Sequence, residues 1–412
     1  MAQLSGYVHE LASALKRKDG QRAAELLSTT SSAGLIAHQL ASAGRPVPTG
    51  QLSAQLPEPW SDMVTAFLRC LVGQHNGERA VACKEFREGY AASLASMLNA
   101  DKGTESEWLI PLALGAAATL KVLSSMADEE LARKGAPANQ LSECAISLQN
   151  FFRGLATSKS SQAKKDASVA VVCVMMKVYF KLNAINNCKQ PLQQIELNRL
   201  FDNAKEAHKV TLRYYTGRLA AYDEDFLKAD EHLTYAFEHC VTTSPNNIRR
   251  VLRYLIPVKM LLGVLPSEGL LRQYGLPEYE PIRRAVKEGN LGLLLSSLES
   301  NQVRFIQSGT FLLLERLQLV VVRRLFRKVA LVHAQMNPAK AHQVPLALFE
   351  AALQLQGIEK DPLELQCLMA NLIFRKYIKG YLAYKSRVVV LAKTDAFPIL
   401  SAVQLADPLA AT

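Results

Sequence analysis

The feature that most constrains this chain is a local pattern that recurs four times: an amphipathic helix, a short polar turn, and a second helix opening with small or apolar residues. It occurs at Lys16 to Leu27 (KRKDGQRAAELL), Gly73 to Phe86 (GQHNGERAVACKEF), Ala220 to Phe237 (AAYDEDFLKADEHLTYAF) and Val286 to Leu298 (VKEGNLGLLLSSL). Each predicts a helical hairpin. One hairpin alone cannot bury its apolar face, so successive hairpins must stack around a shared core. In the third, Gly217 and Ala220 are placed to face Ala229, Leu233 and Ala236, small residues that let two helices approach closely, as in tetratricopeptide hairpins. The turns are unevenly spaced, which predicts a degenerate right-handed stack of helical pairs and not a repeat of fixed period.

Composition agrees. Hydrophobic residues make up 49% of the 412 residues, while 21 Gly and 17 Pro are too few for a chain of short strands and tight turns. Between the hairpins, Thr29 to Pro59, Asp101 to Glu107, Arg133 to Gln140 and Ser158 to Ser168 read as polar surface connections, the first long enough either to be partly disordered or to carry a short helix of its own.

After Gln302 the pattern changes. A long helix is expected from Phe311 to Met336, then a loop containing Pro338 and Pro345, a helix from Leu346 to Gln356 and a turn at Gly357. Asp361 is an N-cap, Pro362 the first helical residue and Glu364 the third, a capping-box start. That helix is expected to run to about Lys379 and to be closed by Gly380. Tyr381 to Tyr384 and Arg387 to Lys393 are β-prone runs joined by Lys385 and Ser386, the one convincing β-hairpin. Three helices followed by a two-stranded wing is the order of a winged helix. The expected architecture is therefore all-α: a helical array over 1–204, a further tetratricopeptide-like part over 205–302, a winged helix over 303–396 and a tail over 397–412.

The formal charge of +11 points to a polyanionic partner. Its sharpest concentration is Arg375, Lys376, Lys379, Lys385, Arg387 and Lys393, with no Asp or Glu from Arg375 through Lys393. On a helix reaching Lys379, Asn371, Arg375 and Lys379 would share one face, with Leu365, Leu368 and Leu372 toward the core. Such a row suits a phosphate backbone, whose neutralisation releases counterions. A solvated helix face, or a face meeting an acidic protein, is the competing reading. A second basic run, Arg323, Arg324, Arg327 and Lys328, lies on the long helix, and Arg249, Arg250 and Arg253 lie two helices earlier. Either could meet a partner or simply face solvent.

Other chemistry is weakly signalled. Cys70, Cys83, Cys144, Cys173, Cys188, Cys240 and Cys367 are odd in number and scattered, with no C-x-x-C pair, which speaks against a disulfide framework or zinc site and for a reducing compartment. His232 and His239 beside Cys240 lack a second ligand pair, so no metal or other cofactor is expected. The cluster Asp223, Glu224, Asp225 lacks the spacing of a calcium loop and reads as a hairpin turn. No phosphate-binding, dinucleotide, nucleophile-elbow or zinc-protease motif occurs, so no catalytic residue is assigned. The amino-terminal residues read at once as an amphipathic helix. The apolar stretches Leu109 to Leu120, Val169 to Met176 and Leu317 to Val322 fall short of the ~20 residues of a bilayer span, and no membrane association is expected.

A helical-hairpin stack ending in a winged helix resembles the PCI family, shared by the proteasome lid, the signalosome and a translation initiation factor. The resemblance extends to the runs Arg253 to Gly263 (RYLIPVKMLLG), Arg284 to Asn290 (RAVKEGN), Asn371 to Ile373 with Lys379 to Tyr381, and Phe397 to Leu400 (FPIL), which are similar to the branch of the family that serves messenger RNA export. The likeness is strongest from about Lys205 to Leu400. It implies a non-enzymatic adaptor in the nucleus, at the nuclear pore, with the cytoplasm as a second location. Members of this branch grip a helical region of an export scaffold of the Sac or germinal-centre-associated type and a small acidic Sem-type subunit, and present a winged helix to RNA or DNA. On that resemblance the arginine sets of the helical part become candidates for the acidic subunit. The alternative is a purely structural subunit of a lid, signalosome or initiation-factor type assembly.

Overall fold

The computed structural model describes residues 2–29, 31–100, 103–156 and 160–406, which fall into two compact units, Met1–Lys209 and Val210–Thr412.

The first unit has no strand among its described residues. Its helices are α1 (Ala2–Lys16), α2 (Gly20–Leu26), α3 (Ser32–Ser42), α4 (Thr49–Gln55), α5 (Trp60–His75), α6 (Arg79–Glu85), α7 (Ala92–Ala100), α8 (Ile110–Arg133), α9 (Gln140–Leu155), α10 (Gln162–Lys181) and α11 (Lys189–Leu197). The turns between α1 and α2 and between α5 and α6 fall at the expected polar breaks. In the second of these hairpins a Cβ on Gly73 would meet Ala82 Cβ at 3.3 Å, so a larger residue would push the helices apart. Two expected connections are more ordered than their composition implied. Thr29 to Pro59 holds both α3 and α4: Ser31 accepts a hydrogen bond from Ala33 N as the cap of α3, and Ile36, Ala37 and Leu52 are buried. Likewise α10 begins at Gln162, inside the stretch read as a loop, because Ser161 caps Lys164 N. Asp101, Lys102, Ser158 and Lys159 lie outside the described residues.

Of the described residues, Glu107–Arg133 has the length and apolar character of a bilayer span by composition, although the runs within it read as too short. In the fold its stripe of Leu112, Ala113, Ala116, Ala117, Leu120, Leu123 and Ala127 is buried against α2, α6, α9 and α10.

The second unit begins within α12 (Glu206–Tyr222) and continues with α13 (Phe226–Glu238), α14 (Pro245–Leu261), α15 (Glu268–Gln273), α16 (Glu280–Glu288), α17 (Leu291–Ser300), α18 (Gln302–Ser308), α19 (Phe311–Glu315) and α20 (Leu317–Met336). The acidic turn between α12 and α13 works as the sequence suggests. Glu224 takes a left-handed φ of 61° and Asp225 caps α13 by accepting from Lys228 N. Ala229, Leu233 and Ala236 are fully buried, and a Cβ on Gly217 would come within 2.7 Å of Leu233. Between α16 and α17, Gly289 has φ 71° and lies so close to α20 that a Cβ would meet Leu325 N at 2.8 Å. The long helix expected from Phe311 is interrupted at Arg316, which pairs with Glu224.

The chain then forms β1 (Gln343–Pro345), α21 (Leu346–Gln354), α22 (Pro362–Phe374), β2 (Gly380–Ala383), β3 (Val388–Leu391) and α23 (Leu400–Ala406). The wing is a three-stranded antiparallel sheet of order β1-β3-β2, not the two-stranded hairpin expected. β1 was hidden because only Val344 of its three residues is buried, and because Pro345, tolerated on an edge strand, reads as a loop residue. Val344 pairs with Val389, and Leu382 with Val389 from the other side. Leu400 and Val403 are buried in the core of this unit, Leu400 against Gly263, which gives the start of the tail a packing role; residues 407–412 lie outside the described set.

Candidate nucleic-acid interface

The last helix sets the geometry of the basic region. Asp361 accepts from Leu363 N (2.7 Å) and Glu364 N (2.8 Å), closing two of the free amides at the start of α22. Glu364 lies 3.6 Å from Lys360 in a partly exposed ion pair. Leu365, Met369 and Leu372 are buried, with Leu368 packed at the edge of the core.

The helix ends five residues earlier than its sequence suggests. Arg375 N donates to Asn371 O, Lys376 N to Ile373 O and Ile378 N to Leu372 O, while Lys376 adopts a left-handed φ of 62°. Tyr377 and Ile378 turn into the core, and their burial overrides the helical pattern. Gly380 opens β2 and does not cap α22; its lack of a side chain matters because a Cβ would meet Val390 O at 2.3 Å. Asn371, Arg375 and Lys379 therefore do not form one helical row. The exposed stripe of α22 is Leu363, Cys367, Ala370 and Phe374, at i, i+4, i+7 and i+11, with Asn371 beside it and no Lys or Arg.

The cations gather instead on the turn and the wing. Lys376, Lys385, Arg387 and Lys393 are exposed, and none has an ion-pair partner among the described residues. Lys385 and Arg387 sit at the tip joining β2 to β3, where Arg387 N donates to Tyr384 O and Arg387 itself has φ 51°. Lys379 is exposed but bound to Asp395 at 2.7 Å, a partner just past the acid-free stretch. Arg375 is half-buried.

The second arginine set separates further. Arg323 is buried, with its Nε donating to Tyr377 O at 3.2 Å, its Nη2 donating to Pro398 O and its guanidinium over the Phe397 ring. Burial, reinforced by Arg327 nearby, pushes its pKa down to about 10, so it remains charged at neutral pH. It ties the turn after α22 to the Phe397-Pro398 segment, and its side chain is enclosed where the sequence reading had it exposed to a partner. Lys328 Nζ donates to Glu288 O, at the carboxyl end of α16. Arg249 is half-buried, with Nε donating to Tyr274 O at 2.7 Å, and Arg253 is half-buried as well. Arg250, Arg324 and Arg327 remain exposed.

The two histidines have packing partners. An N–H of Arg213 donates to His232 Nδ1 at 2.7 Å, and His239 stacks on Tyr235 with ring centroids 4.0 Å apart. No group of three or more His, Cys, Asp or Glu is arranged to hold a metal ion among the described residues.

Sequence reasoning about charge passed over the exposed aromatics. Phe374, Tyr381 and Tyr384 are each more than half exposed. The signal was present in strand alternation: Leu382 points inward, so Tyr381 faces out, and Tyr384 precedes the turn.

The PCI domain model matches residues 298–393, covering the end of the helical part and the winged helix. PCI domain-containing protein 2 of Danio rerio is 34% identical over 411 residues, 97% of this chain and 98% of the relative. The chain belongs to the PCI domain-containing protein 2 family. The Xenopus laevis protein of the same name is 34% identical over 407 residues, again 97% of this chain and 98% of the relative. Enhanced ethylene response protein 5 of Arabidopsis thaliana is 38% identical over 299 residues, 72% of each chain. This family membership and the fold make the chain a PCI-type helical scaffold protein, of a kind that is generally non-catalytic.

Proposed function

We propose that the chain is a non-enzymatic adaptor of a nuclear-pore-associated transcription and messenger RNA export complex. It binds a helical segment of an export scaffold and a small acidic subunit, and it offers its winged helix to RNA or DNA. It works in the nucleus, with a cytoplasmic pool. The observation that carries the nucleic-acid part is the set Lys376, Lys385, Arg387 and Lys393, four exposed cations on the turn after α22 and on the wing, none with an ion-pair partner among the described residues. Cations left unpaired on a rigid hairpin are suited to a phosphate backbone. Arg250, Arg324 and Arg327 remain available to an acidic subunit. Full family coverage supports carrying the scaffold role across the whole chain.

A second reading has its own support. The apolar stripe Leu363, Cys367, Ala370 and Phe374 on α22 is what a winged helix paired with another protein would present, as in a purely structural PCI subunit. Two measurements separate them. Purification of the tagged chain from cells should bring an export scaffold and a small acidic protein, and the pure chain should bind nucleic acid with a salt slope that Lys385→Glu with Arg387→Glu flattens. Recovery of lid, signalosome or initiation-factor subunits, with no measurable nucleic-acid binding, would establish the structural reading.

A further inference from the structure

A cleft separates the start of α22 from the wing tip, lined by Asp361, Pro362, Leu363, Gln366, Tyr384, Lys385 and Arg387. Its walls differ in chemistry. On the wing side stand Lys385 and Arg387, without ion-pair partners among the described residues, and the exposed ring of Tyr384; on the helix side stand Pro362 and the exposed side chain of Leu363. Gln366, almost fully buried, also lines the cleft. The one carboxylate in the cleft, Asp361, is engaged by two backbone amides.

We infer that this cleft holds one nucleotide of a single-stranded nucleic acid, its base against Tyr384 and Leu363 and its phosphate on Lys385 and Arg387. This rests on the nucleic-acid reading above and narrows it. A nucleotide joins a planar, largely apolar base to an anionic phosphate, and the cleft joins an aromatic ring and an apolar wall to two cations. Asp361 repels a phosphate on the helix side, which leaves that wall to the base. Duplex binding through α22 is disfavoured because its exposed residues include no Lys or Arg to meet the phosphates, and its exposed Glu364 would repel them.

Stacking and phosphate neutralisation differ in salt dependence. Removing a cation that neutralises a phosphate flattens the slope of log affinity against log salt; removing a stacked ring lowers affinity at every salt concentration alike. The test therefore measures the full-length chain binding an oligouridine, an abasic oligomer of equal length and a duplex across a salt series. Tyr384→Ala should weaken oligouridine binding about tenfold with an unchanged slope. Tyr384→Phe should retain wild-type affinity, and the abasic oligomer should be insensitive to either change. In a Tyr384→Trp chain, oligouridine should quench the indole fluorescence. Wild-type affinity of Tyr384→Ala for oligouridine, alongside a flattened slope in Lys385→Glu with Arg387→Glu, would overturn the cleft while leaving the basic wing standing. Stronger binding to duplex than to oligouridine would overturn it too. Equal dependence on Tyr384 for a polyglutamate peptide would reassign the cleft to an acidic protein. If the double charge reversal changed nothing, the underlying nucleic-acid reading would itself fail.

Discussion

The basic run of α20 and the basic run of the wing look alike in the sequence, each a cluster of Arg and Lys with no acid among them. In the fold they diverge. Arg323 is enclosed, with two backbone carbonyls as acceptors and an aromatic ring beneath it, and Lys328 closes the carboxyl end of a neighbouring helix. Lys385 and Arg387 stand at a hairpin tip with no ion-pair partner among the described residues. A cation's role is thus set by the acceptors that tertiary structure brings to it, and charge density along the chain does not reveal which cations remain free.

The largest expected effect tests the enclosed side of that contrast. Arg323→Ala leaves the carbonyls of Tyr377 and Pro398 without their donor, which should cost about 3 kcal/mol of stability. A chemical melt should show the loss, and the salt slope of nucleic-acid binding should stay as in the wild type. An unchanged melt would break the distinction between the two runs.

Charge reversal at the free pair should do the opposite. Lys385→Glu with Arg387→Glu should leave the melt unchanged and flatten the salt slope for oligouridine by roughly 1.4, about 0.7 for each phosphate no longer neutralised. Weaker binding at an unchanged slope would mean that the pair acts through structure.

Thiol labelling probes the helix that lies between the two runs. Burial pushes the thiols of Cys70, Cys144 and Cys173 up to about 12, which suppresses the reactive thiolate, whereas Cys367 is exposed on α22. In the native chain iodoacetamide should modify Cys367 first, and oligouridine bound in the adjacent cleft should slow that reaction. Rapid modification of the buried three before unfolding would contradict the first unit's packing.

Smaller effects are expected where a cation is exposed yet engaged. Lys328→Ala should cost roughly 0.5 kcal/mol by removing a positive group from the end of α16, read as a small shift in the melt. Lys379→Ala should change nucleic-acid affinity by less than about twofold, because its charge is already offset by Asp395 in an exposed pair. A larger loss would put Lys379 back with the free cations.

Much of this was legible beforehand, because it is local. The acidic turn at Asp223 to Asp225, the capping role of Asp361 and the close-packed Ala229 face follow from residues a few positions apart. The exceptions share one cause. β1 gains its partners from β3 more than forty residues away, so a three-residue segment ending in Pro carried no pattern to detect. α3 and α4 are built from small and polar residues, whose helical state depends on burial by the rest of their unit and only weakly on propensity.

Helical hairpins, a winged helix after them and a surplus of positive charge near that winged helix can all be read along the chain. These depend on periodicity, caps and composition, which act over a few residues. Only tertiary packing fixes that α22 stops at Phe374, that its exposed stripe is apolar, that Arg323 is internal, and that Lys385 and Arg387 share a cleft with Tyr384. Burial of Tyr377 and Ile378 ends the helix, and the acceptors that reach Arg323 and Lys379 come from segments distant in sequence. Hydrophobic burial and the pairing of charges are non-local, and no window along the chain contains both partners.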